Sequence, residues 1–199
     1  MTSKSRPTKT IATTTDVVRT AVFLTALSGC TVPGGDPSPR HSADVCALRA
    51  RLNSRPSATA VLQAACPVPI RVIRLPVTDF PSPDIVSSLG VTSVHDIVTR
   101  HVRLMCGGTV LSDAWNWYVP SRLTGEMNRL LTETDTPFGR AVHETHFHRK
   151  LLESIVPEPS SKIVLENRAL LLRASDHAPI ALVVENYTPA ALKSHINSD

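Results

Sequence analysis

The chain lacks most of the residue patterns from which chemistry is ordinarily read. It has no Gly-rich phosphate loop, no nucleophile elbow and no Walker motif, so nucleotide-dependent and serine-hydrolase classes are without their signatures. Its four cysteines, Cys30, Cys46, Cys66 and Cys106, include no Cys-x-x-Cys pair and match no zinc spacing. An oxidising compartment would allow two of Cys46, Cys66 and Cys106 to pair. Aromatic residues make up only 4% of the chain, and no basic stripe is interleaved with them, which speaks against nucleic acid as a partner. The net charge of +4 gives no different answer, because Lys4, Arg6, Lys9 and Arg19 face a single Asp16 in the leader. Beyond the leader the chain is close to neutral.

What is present fits one globular domain behind a leader. The 42% apolar and 19% charged fractions describe neither a disordered nor a wholly membrane-embedded chain, and 199 residues suffice for an ordinary core. Residues 1–20 are polar and basic, and Ala21 to Gly29 is a short apolar run ending in small residues. That is a secretory-signal layout, too short for a permanent span. Leu27-Ser28-Gly29-Cys30 resembles a bacterial lipobox, which makes Cys30 the candidate lipidation site and export with a lipid anchor the expected location. A disordered leader on a cytoplasmic protein is the alternative. Residues 31–39, rich in proline and glycine, read as a tether, leaving 40–199 as the domain.

Within that domain, Val45, Leu48 and Leu52 recur at helical spacing over Asp44 to Arg55. Ser57 is a plausible N-cap for a short helix through Ala65. Ile70 to Val77 alternates imperfectly, as an edge strand does. Val98 to Cys106 and Thr109 to Val119 flank Gly107-Gly108, a hairpin signal, and Lys162 to Ala174 and Pro179 to Tyr187 flank a second turn. Helices are expected at Ser121 to Thr132 and Phe138 to Glu144, and a strand near Phe147 to Ile155. Hairpins interrupted by helices imply an α+β domain, with an antiparallel sheet and helices on one face. Trp115, Trp117 and Tyr118 crowd one strand, the wall of either a core or a pocket. His143, His146 and His148 lack the spacing of a metal-binding helix, so they read as a solvated corner and no metal is expected.

Four segments in order resemble the chorismate pyruvate-lyase family: Arg-His-Val-Arg-Leu-Met-Cys-Gly-Gly (100–108), Trp-Tyr-Val-Pro (117–120), Thr-Pro-Phe-Gly-Arg (136–140) and Pro-Ile-Ala-Leu-Val-Val-Glu-Asn-Tyr-Thr-Pro (179–189). The resemblance runs from about residue 48 to 192. It implies a single domain whose central antiparallel sheet carries helical flaps over an internal pocket. It also implies cleavage of chorismate to 4-hydroxybenzoate and pyruvate for quinone (ubiquinone) biosynthesis, without metal or organic cofactor, and a cytoplasmic substrate. A monomer is expected. The alternative is a non-catalytic lipoprotein of the same fold that binds a small aromatic carboxylate.

Glu185 matches the family's glutamate. It lies in a strand apolar on both faces, where burial would favour a protonated general acid, or where a neighbouring arginine would simply satisfy it. Aligned on Cys106 and Pro120, His101 stands at the family's carboxylate-binding arginine. Arg103, two residues on and so on the same face, is its expected substitute, with Arg100 on the other face the weaker candidate. An exposed strand face is the competing reading of His101 and Arg103. The resemblance adds Phe138 and Gly139 as ligand cover, and Asn116 or Asp113 could hydrogen-bond a ligand.

Overall fold

Alternation, caps and turns place most of the elements that carry the site. The computed structural model describes residues 39–78, 80–158 and 160–193; the leader, Cys30 and nearly all of the tether lie outside them. Two helices open the domain, α1 (Pro39–Asn53) and α2 (Ala58–Ala65). Ser57 caps α2 by accepting from the Ala60 amide, which satisfies one of the orphan donors of a helix start. Strand β1 (Arg71–Leu75) follows, then α3 (Pro83–Leu89), β2 (Val98–Cys106) and β3 (Thr109–Tyr118). Gly107 makes the β2–β3 turn at φ +56°, a conformation that side-chain-bearing residues resist.

The expected helix from Ser121 resolves into a 3-10 turn at Pro120–Arg122 and α4 (Gly125–Glu133). Thr124 is the true cap, accepting from the Met127 amide, so α4 cannot start earlier. The next helix is likewise shorter than expected, α5 (Phe138–Ala141), with a 3-10 turn after it. Strands β4 (His148–Ile155), β5 (Leu165–Leu172) and β6 (Pro179–Tyr187) complete the sheet.

All pairings are antiparallel, in the order β1-β2-β3-β6-β5-β4. This single α+β domain agrees with the architecture that the resemblance implies. Strand alternation divides the residues between two faces. On one face, α1 and α2 bury Val45, Leu48, Leu52, Val61 and Leu62 against Val102, Leu104 and Ala114. At the other end of that face, α4 and α5 bury Met127, Leu131 and Phe138 against Tyr118, Ala169 and Val183. Each such side chain contributes about 1.5–3 kcal/mol when removed from water.

Helices were expected on one face only, and α3 departs from that. Its Ile85 and Leu89 pack on Leu182 and Val119, with Trp117 and Leu170 beside them, on the opposite face. Arg168 on β5 reaches α3 through Asp84 at 2.5 Å. Arg122 adds bonds to the Leu89, Gly90 and Pro179 carbonyls. Cys66, at the end of α2, is bonded to Cys106 of β2 with their Cα atoms 5.8 Å apart, which ties the helical layer to the sheet.

Candidate functional site

A cavity of about 40 Å³ lies where the two helical layers meet over the sheet. Its floor is sheet: Arg100 of β2, Asn116 of β3, Val183 and Glu185 of β6, and Arg149 reaching in from β4. Its roof is two short segments, Pro56 to Thr59 leading into α2 and Pro137 to Gly139 leading into α5. Most of the wall is apolar, so the few polar groups are conspicuous.

Arg100 is the most informative of them. It shares a face with Val102, Leu104 and Cys106, and is only 6% exposed. Its Nη2 donates to the Thr136 carbonyl at 3.0 Å, which holds the turn that roofs the cavity. Its Nε and Nη1 are buried and have no partner. A buried cation with idle donors is held at a cost unless an anion joins it. Burial, and after it the charge of Arg74, pulls the guanidinium down to about 10, so it remains charged at neutral pH. Arg74 secures the same roof from β1, donating to the Leu131, Thr132 and Thr134 carbonyls at the end of α4.

Glu185 lines the far side of the floor and is paired. Arg149 donates to both of its oxygens, at 3.3 and 2.5 Å, and the Tyr187 hydroxyl donates to Oε2 at 2.8 Å. The partner side chains are almost fully enclosed, at 8% and 12% exposure. Burial, then the negative charge of Glu185, pushes the Tyr187 phenol well above its ordinary value, so its hydroxyl stays a donor. Burial works against the Arg149 charge, but Glu185 more than offsets it and holds the proton on more tightly than usual. The Arg149 Nε and the Asn116 Oδ1 are further buried atoms without partners.

The other expected site residues divide. Asn116, Phe138 and Gly139 line the cavity. His101 and Arg103 do not. They lie on the opposite face, where both bond Asp113, at 2.5 and 3.0 Å. His101 also stacks on Trp115 with centroids 3.8 Å apart, and Trp117 continues the stack. The reason is alternation: Arg100 shares the inward parity of Val102, Leu104 and Cys106, and His101 and Arg103 have the opposite one. The inward parity of Val102, Leu104 and Cys106 was the signal that could have found it. Arg149 left no comparable signal, since it reaches β6 across the whole of β5. Among the histidines, His143 bonds the Arg140 carbonyl and His148 packs edge-on to His177.

No protein-family model matches the chain. A curated relative, described as uncharacterized protein y4mC from Sinorhizobium fredii (strain NBRC 101917 / NGR234), is 45% identical over 113 residues, 46% of this chain and 47% of that protein. The chain thus spans about half the length of the curated relative it matches. Among solved structures, the effector domain of PhnF from Mycobacterium smegmatis is similar at 11% identity, covering 67% of this chain and 88% of that one, with a TM-score of 0.51. PhnF itself gives 11% identity over 67% and 64%, with a TM-score of 0.50. A GntR-family transcriptional regulator from Enterococcus faecalis V583 gives 10% identity over 64% and 99%, at 0.46. The likeness to the PhnF structures is one of fold.

Proposed function

We propose that this chain binds a small aromatic carboxylate at the cavity between sheet and roof, which widens beyond its about 40 Å³ to admit the ring, and holds it without converting it. The observation that carries the reading is Arg100, a buried guanidinium with two idle donors facing a cavity. A carboxylate at either idle donor takes a charge-assisted hydrogen bond from it, stronger than one between neutral groups. The ring then lies along Val183 and Phe138, with Asn116 beside it and the Glu185–Arg149 pair at its far end. A ring hydroxyl at that end would donate to Glu185. The solved fold that this chain shares is described as an effector domain, which agrees with a ligand-holding use. Two further expectations stay attached to the proposal, export with a lipid anchor at Cys30 and a monomeric state.

A lyase acting on chorismate is the second reading, favoured by the sequence resemblance and by Glu185 lining the cavity. It requires Glu185 to give a proton to the leaving ether oxygen. Both Glu185 oxygens already accept bonds from Arg149 or Tyr187, which suits an acceptor better than an acid. Titrating the full chain with 4-hydroxybenzoate in a calorimeter, and incubating it with chorismate while recording product absorbance, separates the two. The proposal expects saturable heat and no product. Product formed in proportion to enzyme would make the chain a lyase, and the absence of heat with any aromatic acid would remove both readings. For the anchor, fatty-acid labelling that is equal in wild type and Cys30→Ser would dismiss it.

A further inference from the structure

Histidines from two segments far apart in sequence meet at one corner of the fold. His148 opens β4 and pairs with Leu172, the last residue of β5, so it lies beside the turn that joins β5 to β6. His177 stands in that turn. Their ring centroids are 5.2 Å apart, with 69° between the planes. Two imidazoles that share a tetrahedral zinc, each bonded through nitrogen at about 2.0–2.1 Å, hold their centres roughly 5 Å apart. His101 and Trp115 make the contrast: at 3.8 Å and 11° their faces cover each other.

Both residues are exposed, and among the described residues neither ring takes part in a hydrogen bond or an ion pair. His143 and His101 differ, since each engages an oxygen through a ring nitrogen. Backbone bonds fix the corner. The Arg173 amide donates to the Ala178 carbonyl and the His177 amide to the Arg173 carbonyl, both at 2.9 Å, and the Ala174 amide ties the turn to the Thr145 carbonyl at 3.2 Å. His177 has a φ of +59°, where glycine is the usual occupant, so an imidazole is kept there against the backbone preference. Of the neighbouring charges, Asp176 is already held by Arg173 and the Ala178 amide, and Lys150 lies further along β4. No third histidine, cysteine or carboxylate completes a metal set among the described residues, which leaves the remaining positions to water.

We propose that His148 and His177 form a site for a divalent transition-metal cation of the zinc type, with their imidazoles as two ligands and water as the rest. Imidazole nitrogen selects such a cation over calcium and magnesium, which take oxygen ligands. The fold makes this pair, and local spacing does not, which is why His143, His146 and His148 give no sign of it in sequence. Neither histidine lines the cavity, so the site is independent of the carboxylate reading. A bound cation links the start of β4 to the β5–β6 turn.

The test is calorimetric titration of zinc chloride into the full chain and into its His148→Gln and His177→Gly variants, with magnesium chloride as the control cation. Wild type is expected to show a saturable zinc site that magnesium does not fill. Each variant is expected to bind zinc about tenfold or more weakly, the scale on which metal sites respond to losing a supporting group. Thermal melts give a second readout: zinc should raise the midpoint of wild type and leave both variants where they are. Without zinc, His177→Gly should melt close to wild type, because glycine accepts that φ. No saturable zinc heat in wild type, an affinity that survives either substitution, or magnesium bound as tightly as zinc overturns the proposal. If the metal-free melt shows His177→Gly to be unfolded, His148→Gln decides alone.

Discussion

Removing Glu185 is expected to destabilise the fold strongly, and removing its partner as well is expected to restore most of the loss. The two side chains are 8% and 12% exposed, so water cannot compensate a lone Arg149. In Glu185→Leu, three hydrogen bonds onto the carboxylate vanish together, and the guanidinium and the Tyr187 hydroxyl are left buried without acceptors. Breaking a buried pair in this way costs about 3–5 kcal/mol. At about 2–4 °C per kcal/mol for a domain of this size, the melting temperature should fall by on the order of 10 °C. Arg149→Met should be comparably harmful. The double variant replaces the pair by apolar groups and should come within about 1–2 kcal/mol of wild type. Urea unfolding followed by the fluorescence of Trp115 and Trp117, on the opposite face, measures all four proteins. Additive losses in the double variant, or a Glu185→Leu loss below about 1 kcal/mol, would refute the buried pair.

Three further expectations follow from the same geometry. Replacing Cys66 by Ser opens a link across 40 residues of sequence, which loop-closure entropy values at about 4 kcal/mol; a urea midpoint unmoved by the substitution would contradict the bond's role. Carboxylate binding should be level through neutral pH and weaken as pH passes about 10, where the folded Arg100 begins to lose its charge. The unfolded guanidinium keeps its proton to higher pH than the folded one, so above about 10 this group makes stability rise with pH, not fall; affinity lost well below pH 9 or so would point to another cation. Arg103→Ala, on the face away from the cavity, should leave 4-hydroxybenzoate affinity as it is, and a large loss in calorimetry would place the ligand on the wrong side of the sheet.

Strand positions were legible because period-two alternation and turn chemistry agree. Gly107-Gly108 marked the first hairpin, and Ser57 marked the start of α2. The apolar neighbours of Glu185 alone place it in a central strand, and an arginine is the type of partner expected for it there. Its identity was not, since Arg149 meets it only through the order of three strands. Between Pro120 and Thr145, 3-10 turns and short helices blur the 3.6-residue period, so Thr124 was passed over as the cap. The inward arginine has a simpler cause. Period-two alternation puts Arg100 with Val102 and Leu104 on the cavity face, and His101 and Arg103 on the other. Charge type led toward the outer face, although the apolar parity of Val102, Leu104 and Cys106 pointed the other way.

The central claim is that an anionic ligand joins Arg100 inside the cavity, and calorimetric titration of 4-hydroxybenzoate into wild type, Arg100→Lys and Arg100→Leu tests it most directly. Near-ultraviolet circular dichroism would establish that each variant keeps its native packing. The account predicts saturable binding to wild type and a loss of about tenfold to a hundredfold in Arg100→Leu, the worth of hydrogen bonds to a charged group. Arg100→Lys should fall between, because it keeps the charge and lacks the guanidinium's fixed planar donors. Folded Arg100→Leu that binds as tightly as wild type would contradict it.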